Sequence, residues 1–343
     1  MKKVFSVLFF SFLFFSLRSQ DLHFSQAINT PVFTNPAFTG LYDGEVRVGL
    51  IYRDQWQSIS GFRTFGAATD LRIIGAQRGN RFFWSGIGLY VLTDQGGGGL
   101  LNTTKVGASL GLHFSASDNT LISLGFQAGN TQRSVNFSDL TFSTQSTGNG
   151  FDPGIQSLEP PQGFTNISYL EYNAGINLRQ VIQNDQFAFN IGGSVFRFNN
   201  PTESFYSDFE GKEISERQFG FNGLLGFEIS PTENFDIIPF FMYRQQDMYS
   251  QILGMLIFQI HIQNFILAPG SAYRHEDAVI PYMGFYYRNA KLGISYDINI
   301  SELSTASNMQ GGPEISLSYT ANLEDFGINT RRSGIRQVPC PKW

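Results

Sequence analysis

The sequence predicts an all-β protein: a closed antiparallel transmembrane β-barrel of the outer membrane, with about 14 strands. Three observations lead to this prediction. The composition is poor in charge and rich in Gly and Phe, apolar and polar residues alternate over long segments, and the connections between those segments sort by length. Because 343 residues would also fit two soluble domains, length alone does not decide the architecture.

The composition excludes several classes of protein. Hydrophobic residues make up 42% of the chain, aromatic residues 15% and charged residues 15%, with 36 Gly and 35 Phe. Many aromatic and few charged residues argue against disorder, and the abundance of Gly and Phe argues against a helical protein. A formal charge of -5 argues against a nucleic-acid partner, and a single Cys excludes a disulfide framework.

The first residues have the pattern of a secretory signal peptide. Lys2 and Lys3 precede an apolar run from Val4 to Leu17, and Ser19 offers a small residue for cleavage. We therefore expect a signal peptide over residues 1–19. The alternative, a transmembrane anchor, needs about 20 apolar residues, which this run does not reach.

Period-two patterning runs through the rest of the chain. In residues 291–300, Leu, Ile and Tyr alternate with Lys, Gly, Ser, Asp and Asn, and the same alternation occurs at 105–114, 170–178 and 314–319. A strand places alternate side chains on opposite faces, so each segment has an apolar and a polar face. The polar face carries mainly Gly, Ser, Asn and Gln, with scattered Glu and Arg. A soluble sandwich and a membrane barrel both fit this pattern.

Strand length and number favour the barrel. Most predicted strands have about 11–14 residues, whereas soluble strands usually have about 5–6 and tilted membrane-spanning strands about 9–11. An even number of strands suits a closed ring, which has no edge. We predict the barrel over residues 43–325, with strands near 45–56, 63–74, 82–94, 103–116, 119–131, 168–181, 186–199, 217–230, 235–247, 249–261, 264–275, 278–288, 290–301 and 313–323.

The connections give an independent test of the barrel. If the first strand rises from the periplasm, every even-numbered connection is a short periplasmic turn. Turn-forming residues fill such connections at 117–119, 183–185, 231–234 and 288–290. The odd-numbered connections include longer ones, at 95–102, 132–167, 200–216 and 302–312. A soluble sandwich has no reason to sort loops in this way, although between residues 247 and 280 all connections look short.

Aromatic residues near strand ends have two candidate roles. They either form the girdles that mark the two membrane interfaces or pack the apolar face of the wall. The residues are Tyr52, Trp56, Phe82, Trp84, Tyr286 and Tyr287.

No pattern predicts a catalytic, cofactor-binding or metal-binding residue. Gly-x-Ser-x-Gly and His-Glu-x-x-His do not occur, and the Gly96–Gly99 run lacks the Lys and Ser or Thr of a phosphate loop. His275, Glu276 and Asp277 are consecutive, so they converge poorly on a strand and are better explained as a polar loop tip. His113 lies on a polar strand face and is predicted to form a hydrogen bond in the lumen. We expect no enzyme activity and no cofactor.

Short motifs follow one another in a fixed order along the chain. Together they resemble the PorP/SprF family of Bacteroidetes type IX secretion-system membrane proteins, over nearly the whole mature chain. The last two residues depart from the more usual Cys-Pro-Arg-Phe ending of that family. The motifs are Gln20–Gln26, Asn35–Gly40, Tyr52–Trp56, Leu124–Gly129, Asn199–Phe205, Tyr273–Arg274 with Asp277–Ala278, Gly293–Asp297, Glu314–Leu317 and Cys340–Trp343.

The resemblance implies a function that composition and periodicity do not show. It implies a non-enzymatic outer-membrane barrel component of the type IX secretion system, which supports export or surface attachment of a partner protein such as a gliding adhesin. The implied partners are the lipid bilayer, periplasmic components of the system and the secreted cargo. The alternative is an outer-membrane transport barrel for small or hydrophobic molecules.

Residues 20–42 precede the first predicted strand. Because of the Thr30-Pro31 and Asn35-Pro36 steps, we expect this segment to be extended and to lie in the periplasm or in the lumen. There it either plugs the periplasmic mouth, contacts a periplasmic partner or packs the barrel end. The side chains considered for these roles are Phe24, Phe33 and Phe38.

Two further segments lie outside the predicted strands. Residues 326–343 are expected to form a C-terminal periplasmic tail, in which Cys340 has no second cysteine to pair with. The loop over 132–167 is long enough either to bind an exported partner or to cover the lumen.

Overall fold

The computed structural model describes residues 24–56, 61–73, 77–78, 81–135, 143–147, 150, 152, 154–155, 166–182, 186–203, 219–246, 249–301, 304, 309–326 and 340–342. In this part of the chain, fourteen long antiparallel strands form a ring around a filled lumen. The signal peptide predicted over 1–19 and most of the loop predicted over 132–167 lie outside the described residues.

The strands follow one another around the barrel in chain order. They are β1 (Val46–Gln55), β2 (Phe62–Ile73), β3 (Gln77–Arg78), β4 (Arg81–Gly96), β5 (Leu101–Ser117), β6 (Thr120–Val135), β7 (Asn166–Ile182), β8 (Phe187–Phe196), β9 (Gly220–Thr232), β10 (Phe235–Gln246), β11 (Tyr249–Ile262), β12 (Phe265–Arg274), β13 (Ala278–Tyr287), β14 (Ala290–Asn299) and β15 (Gln310–Ala321).

The ring closes through the pairing of β2 with β4, which extends from Arg63 opposite Gln95 to Ile73 opposite Ser85. The first strand, β1, pairs with the last strand, β15, and the two-residue β3 pairs only with β4 beside the ring. The predicted closed antiparallel barrel of about 14 strands is confirmed, and each predicted strand overlaps one strand of the ring.

The wall has an exposed apolar outer face and a buried inner face. On β15, Ile315, Leu317 and Tyr319 are 44%, 45% and 47% exposed, whereas the alternate residues Glu314 and Ser316 are buried. An apolar belt of this kind is stable against lipid tails, because all backbone groups of a closed ring are paired. No helix among the described residues is long and apolar enough to cross a membrane.

One sector of the inner face is apolar. On β10 and β11, Ile238, Phe240, Leu253 and Met255 are buried in the lumen, while the outward neighbour Phe241 is exposed. Both faces are therefore apolar in this sector. The expected Gly, Ser and Asn lining holds only for the other sectors.

The two rims differ in the length of their connections. The rim where β1 begins, here called the short-turn end, has only short connections: 74–80, 118–119, 183–186, 233–234, 263–264 and 288–289. The opposite rim, here called the long-loop end, has the connections 56–61, 97–100, 136–165, 197–219, 247–248, 275–277 and 300–309. The three connections of ten residues or more, 136–165, 197–219 and 300–309, all lie at the long-loop end as predicted, whereas 97–100, 247–248 and 275–277 at the same end are short.

Candidate functional site

Residues 24–42, here called the lumen segment, lie inside the barrel and form helical turns. These are 3-10 turns at Ala27–Asn29 and Pro36–Phe38 and one α-helical turn, α1, at Pro31–Thr34. The expected extended conformation is therefore wrong for this part of the chain. A proline restricts the residue before it, but its own φ suits the first position of a helix, and Pro31 and Pro36 each begin a turn.

The lumen segment crosses between facing walls of the barrel. Ser25 contacts β14 and β15, the carbonyl oxygen of Thr34 accepts hydrogen bonds from β8 and β9, and Thr39 contacts β5. Phe24 and Phe38 are buried among wall side chains. Of the roles considered for these phenylalanines, the contacts agree with packing inside the barrel.

A buried ionic cluster holds the start of the lumen segment. Asp297 on β14 accepts hydrogen bonds from Arg53 at 2.7 Å, from Arg274 at 2.5 Å and from the Ser25 hydroxyl at 2.7 Å. All of these side chains are at most 2% exposed. Charges that are buried so deeply must be paired, so the cluster joins three strands and the lumen segment into one unit.

Glu314 on β15 completes this cluster. Its carboxylate accepts the backbone N–H groups of Ser25 at 2.9 Å and Gln26 at 2.6 Å, and it lies 3.6 Å from the Nε of Arg53. Charge-assisted hydrogen bonds to backbone amides fix the chain more firmly than neutral ones. The Gln26 side chain adds a hydrogen bond from its Nε2 to the Glu314 carbonyl oxygen, at 2.9 Å.

The members of the cluster come from motifs that are far apart in the sequence. Arg53 belongs to Tyr52–Trp56, Arg274 to Tyr273–Arg274, Asp297 to Gly293–Asp297 and Glu314 to Glu314–Leu317, while Ser25 belongs to the N-terminal motif. The order of these motifs is visible in the sequence, but their meeting in the lumen is not. Scattered Arg and Glu on polar faces were the only signal of the cluster.

Glycines in the wall let the middle of the lumen segment approach the backbone. A Cβ on Gly125 of β6 would overlap the carbonyl group of Pro36 and the nitrogen of Ala37. The Asn35 side chain accepts the Ala37 N–H at 2.9 Å and donates to the Ile176 carbonyl oxygen at 3.1 Å. The Asn35–Gly40 and Leu124–Gly129 motifs are therefore in contact.

His113 on β5 holds the end of the lumen segment. Its Nε2 lies 2.8 Å from the Thr39 carbonyl oxygen, so Nε2 carries the proton, and its Nδ1 accepts from the Ser123 hydroxyl at 2.9 Å. The Trp84 ring stacks on the imidazole at 4.9 Å and donates to the Gly40 carbonyl oxygen at 3.1 Å. The predicted hydrogen-bonding role of His113 in the lumen is confirmed.

Tyr42 ends the lumen segment at the short-turn end. Its hydroxyl donates to the Asp70 carbonyl oxygen at 2.7 Å, and burial raises the pKa of this phenol far above its ordinary value. The Asp70 carboxylate accepts the Gly40 N–H at 2.7 Å and pairs with Arg47 at 2.7 Å. Both ends of the lumen segment are thus fixed to the wall by buried carboxylates.

The girdle interpretation is wrong for half of the aromatic candidates. Phe82, Trp84 and Tyr286 are buried, because their alternation places them on the inner face of β4 and β13. Tyr52 and Tyr287 point outward and are 41% and 54% exposed. Position near a strand end did not distinguish the two faces, whereas the period-two pattern does.

The remaining sequence candidates do not converge. His275, Glu276 and Asp277 form the turn between β12 and β13, where the His275 and Glu276 side chains are 54% and 83% exposed, as expected for a loop tip. Asp277 pairs with Arg274. Among the described residues, no three His, Cys, Asp or Glu side chains are grouped so that they would hold a metal ion.

The described part of the C-terminal tail lies in the short-turn end of the lumen. Cys340 is buried in the inner core, and burial raises the pKa of its thiol to about 12. The Lys342 ammonium contacts Asp236 at 2.8 Å, and the Lys342 backbone N–H donates to Glu228 at 3.0 Å. Residues 340–342 are therefore anchored to the inside of the barrel.

The fold and this filled lumen define a class of protein: an outer-membrane β-barrel whose interior is occupied by its own N-terminal segment. The chain belongs to the family of type IX secretion system membrane proteins PorP/SprF, whose model matches residues 16–319. The resemblance seen in the motifs is thereby confirmed, and so is the outer membrane as location. No curated protein sequence matches the chain.

Two solved structures with a similar fold are described as a toluene transporter and a monoaromatic hydrocarbon channel. The Pseudomonas putida toluene transporter TodX has 11% sequence identity, with 88% of this chain and 94% of that chain covered and a TM-score of 0.51. A TodX deltaS2S3 mutant, described as a monoaromatic hydrocarbon channel, has 9% identity, with 85% and 94% coverage and a TM-score of 0.51. At such low identity the likeness shows the fold alone.

Proposed function

We propose that this chain is a non-enzymatic barrel component of the type IX secretion system that supports the export or surface attachment of a partner protein, with gliding-adhesin-like proteins as one class of cargo. Membership of the PorP/SprF family is the observation that carries the proposal. The signal peptide over residues 1–19 would deliver the chain to the periplasm.

The filled lumen favours a role in secretion over a role as a transport barrel. The start of the lumen segment is anchored by Asp297 on β14 and Glu314 on β15, and its end by Asp70 on β2. Clearing a passage would expose buried carboxylates and break charge-assisted hydrogen bonds. A diffusion pore needs a water-filled path, and here the protein's own chain occupies it.

The long-loop end is the favoured contact surface for cargo. The outer faces of β6 and β7 are apolar at Leu124 and Ile176 but polar near the long-loop end, where Asn130, Gln132 and Ser168 are exposed. Asn130 and Ser168 hydrogen-bond to each other at 3.0 Å across the strands. A polar wall that rises above the apolar belt faces water, and the connection 136–165 joins these two strands at that end.

The short-turn end would then face the periplasm, since short turns lie on that side of outer-membrane barrels. The periplasmic components of the secretion system are the expected partners at this end.

Loss of the protein tests the proposal. A deletion strain should retain a specific surface protein in the periplasm, while a strain complemented with the wild-type chain displays it again. The measurement is quantitative proteomics of periplasmic and surface fractions. Altered uptake of small or hydrophobic molecules with a normal secretome would instead support the transport barrel.

A loop deletion tests the contact surface. Removal of residues 140–162 should reduce cargo secretion or display while the barrel still folds, as judged by heat-modifiable migration. A matched variant in which residues 204–214 are shortened shows whether a loss of secretion or display is caused by the 136–165 connection alone or also by the 197–219 connection. Intact secretion and display in the 140–162 variant would contradict a cargo-binding role of that loop.

A further inference from the structure

A cavity of about 380 Å³ lies at the short-turn end, between the lumen segment, the wall and the C-terminal tail. Its volume is within the range of small-molecule sites, about 300–1,000 Å³. Turn residues Arg288 and Asn289 stand at its mouth, and Pro341 and Lys342 form part of its lining. The residues that hold the lumen segment to β14 and β15, namely Ser25, Asp297 and Glu314, do not line this cavity.

Small residues on three adjacent strands create the cavity. Gly49 on β1 is opposite Ala68 on β2 and Ser318 on β15, and all three line the space. A Cβ on Gly49 would meet no atom within 4 Å, whereas a Cβ on Gly125 would overlap the lumen segment. The packing around position 49 therefore does not require a glycine. The missing side chain of Gly49 leaves part of the cavity volume empty.

The lining carries an excess of positive charge. Four basic side chains and two carboxylates contribute to it: Arg47, Arg288, Lys291 and Lys342, with Asp43 and Asp70. Arg47 is neutralised by Asp70 at 2.7 Å, and Lys342 by Asp236 at 2.8 Å. Within the part of the chain that the structure describes, Arg288 and Lys291 have no carboxylate in ion-pair contact.

The two basic groups without a carboxylate are held at defined positions. The Lys291 ammonium lies 5.3 Å from the ring centre of Tyr286, which faces the lumen, whereas the Arg288 guanidinium lies 5.3 Å from the ring centre of the outward-facing Tyr287 at the rim. Lys291 also donates to the Lys342 carbonyl oxygen at 3.3 Å. Such cation–π contacts orient a cation without neutralising it.

One part of the cavity wall is apolar. Ile28, Val32 and Phe33 of the lumen segment line one side, and Ile51 and Ile266 line the other. A site with an apolar wall and a few convergent charged groups is typical of small-ligand binding. The charge at the mouth and the apolar wall together select a ligand with an anionic head and an apolar body.

We propose that this cavity binds an amphipathic anion, a small molecule with a carboxylate or phosphate group and an apolar body. The anionic group contacts Lys291, with Arg288 at the rim of the cavity, and the apolar body fills the space beside Gly49. Guanidinium and ammonium groups both form charge-assisted hydrogen bonds with carboxylate and phosphate.

Binding of three probes to the purified full chain in nanodiscs tests this proposal. The probes are 1-naphthoate, 1-naphthyl phosphate and uncharged 1-naphthalenemethanol, measured by isothermal titration calorimetry. We expect one saturable site that binds at least one of the anions at least tenfold more tightly than the alcohol. The tighter anion identifies the carboxylate or the phosphate as the preferred head group.

Two variants locate the binding. Gly49→Leu fills the cavity and should weaken anion binding at least tenfold, and Lys291→Gln should weaken it while leaving the affinity for the alcohol unchanged. Gly193→Leu is the matched control, since Gly193 faces outward on β8 and has only ordinary contacts around it. Heat-modifiable migration checks that each variant folds, and Ala68→Leu replaces Gly49→Leu if that variant does not.

Equal binding of all three probes, or no saturable binding of either anion, would overturn the proposal. So would anion binding that the folded cavity-filling variant leaves unchanged. Each of these results is independent of cargo secretion, because the assay contains only the purified barrel.

Discussion

The guanidinium of Arg53 lies 2.7 Å from the carboxylate of Asp297, although 244 positions separate the two residues in the sequence. Asp297 also accepts the hydroxyl of Ser25. One buried carboxylate therefore links the first and the penultimate strand of the barrel to the lumen segment. The closure of the wall and the filling of the lumen depend on the same group.

Removal of this charge should destabilise the barrel strongly. Asp297→Asn leaves the guanidinium groups of Arg53 and Arg274 buried without that carboxylate, and breaking a buried pair costs about 3–5 kcal/mol. The measurement is the urea dependence of heat-modifiable migration. Arg63→Gln is the control, because Arg63 is 64% exposed beside Asp54 and an exposed pair contributes about 0–1 kcal/mol. Equal effects of the two variants would contradict the role of the cluster.

The approach of the lumen segment to β6 should depend on Gly125. Gly125→Ala places a Cβ into the Pro36 carbonyl group and the Ala37 nitrogen, and overpacking of this kind costs about 1–3 kcal/mol. Limited proteolysis should then cut the lumen segment in the variant but not in the wild type. Gly223→Ala is the matched control, since its nearest contacts are at 3.5 Å on the outer face. Identical protection in both variants would contradict the contact.

His113 should stabilise the folded barrel through its hydrogen bonds, separately from the stacking of its ring on Trp84. His113→Phe keeps an aromatic ring beside Trp84 but leaves the Thr39 carbonyl oxygen without its donor, which costs about 1–3 kcal/mol for a buried group. The change should appear as a lower urea midpoint. His275→Ala, at an exposed turn, should stay within about 0.5 kcal/mol of wild type. A His113→Phe midpoint equal to wild type would show that the hydrogen bonds are not needed.

The Cys340 thiol should be almost unreactive in the folded protein. Burial raises its pKa to about 12, and a raised pKa means less thiolate at a given pH. At pH 8 the thiolate fraction is on the order of a thousandfold lower than for an ordinary cysteine. Iodoacetamide should therefore label Cys340 only after unfolding. Lys342→Gln, which removes the contact with Asp236, should increase the rate, and rapid labelling of the native wild type would contradict burial of the tail.

The sequence predicts the wall of this barrel better than its contents. Alternation, strand length and the sorting of connections depend on local pattern, and they locate all strands of the ring. The cluster of Arg53, Arg274, Asp297 and Glu314 depends on strand register around a closed ring, which one-dimensional patterns do not contain. The turns at Pro31 and Pro36 do not follow from the Thr-Pro and Asn-Pro steps, because such a step restricts the residue before the proline, whereas the proline itself suits the first position of a helical turn.

The most direct test of a lumen closed by its own chain is the ionic conductance of the purified protein in planar lipid bilayers. The wild type should show no steady open-channel current, and Gly125→Ala, which displaces the lumen segment, should produce discrete openings. A steady wild-type current of the size expected for a water-filled pore would contradict the closed lumen and favour the transport barrel.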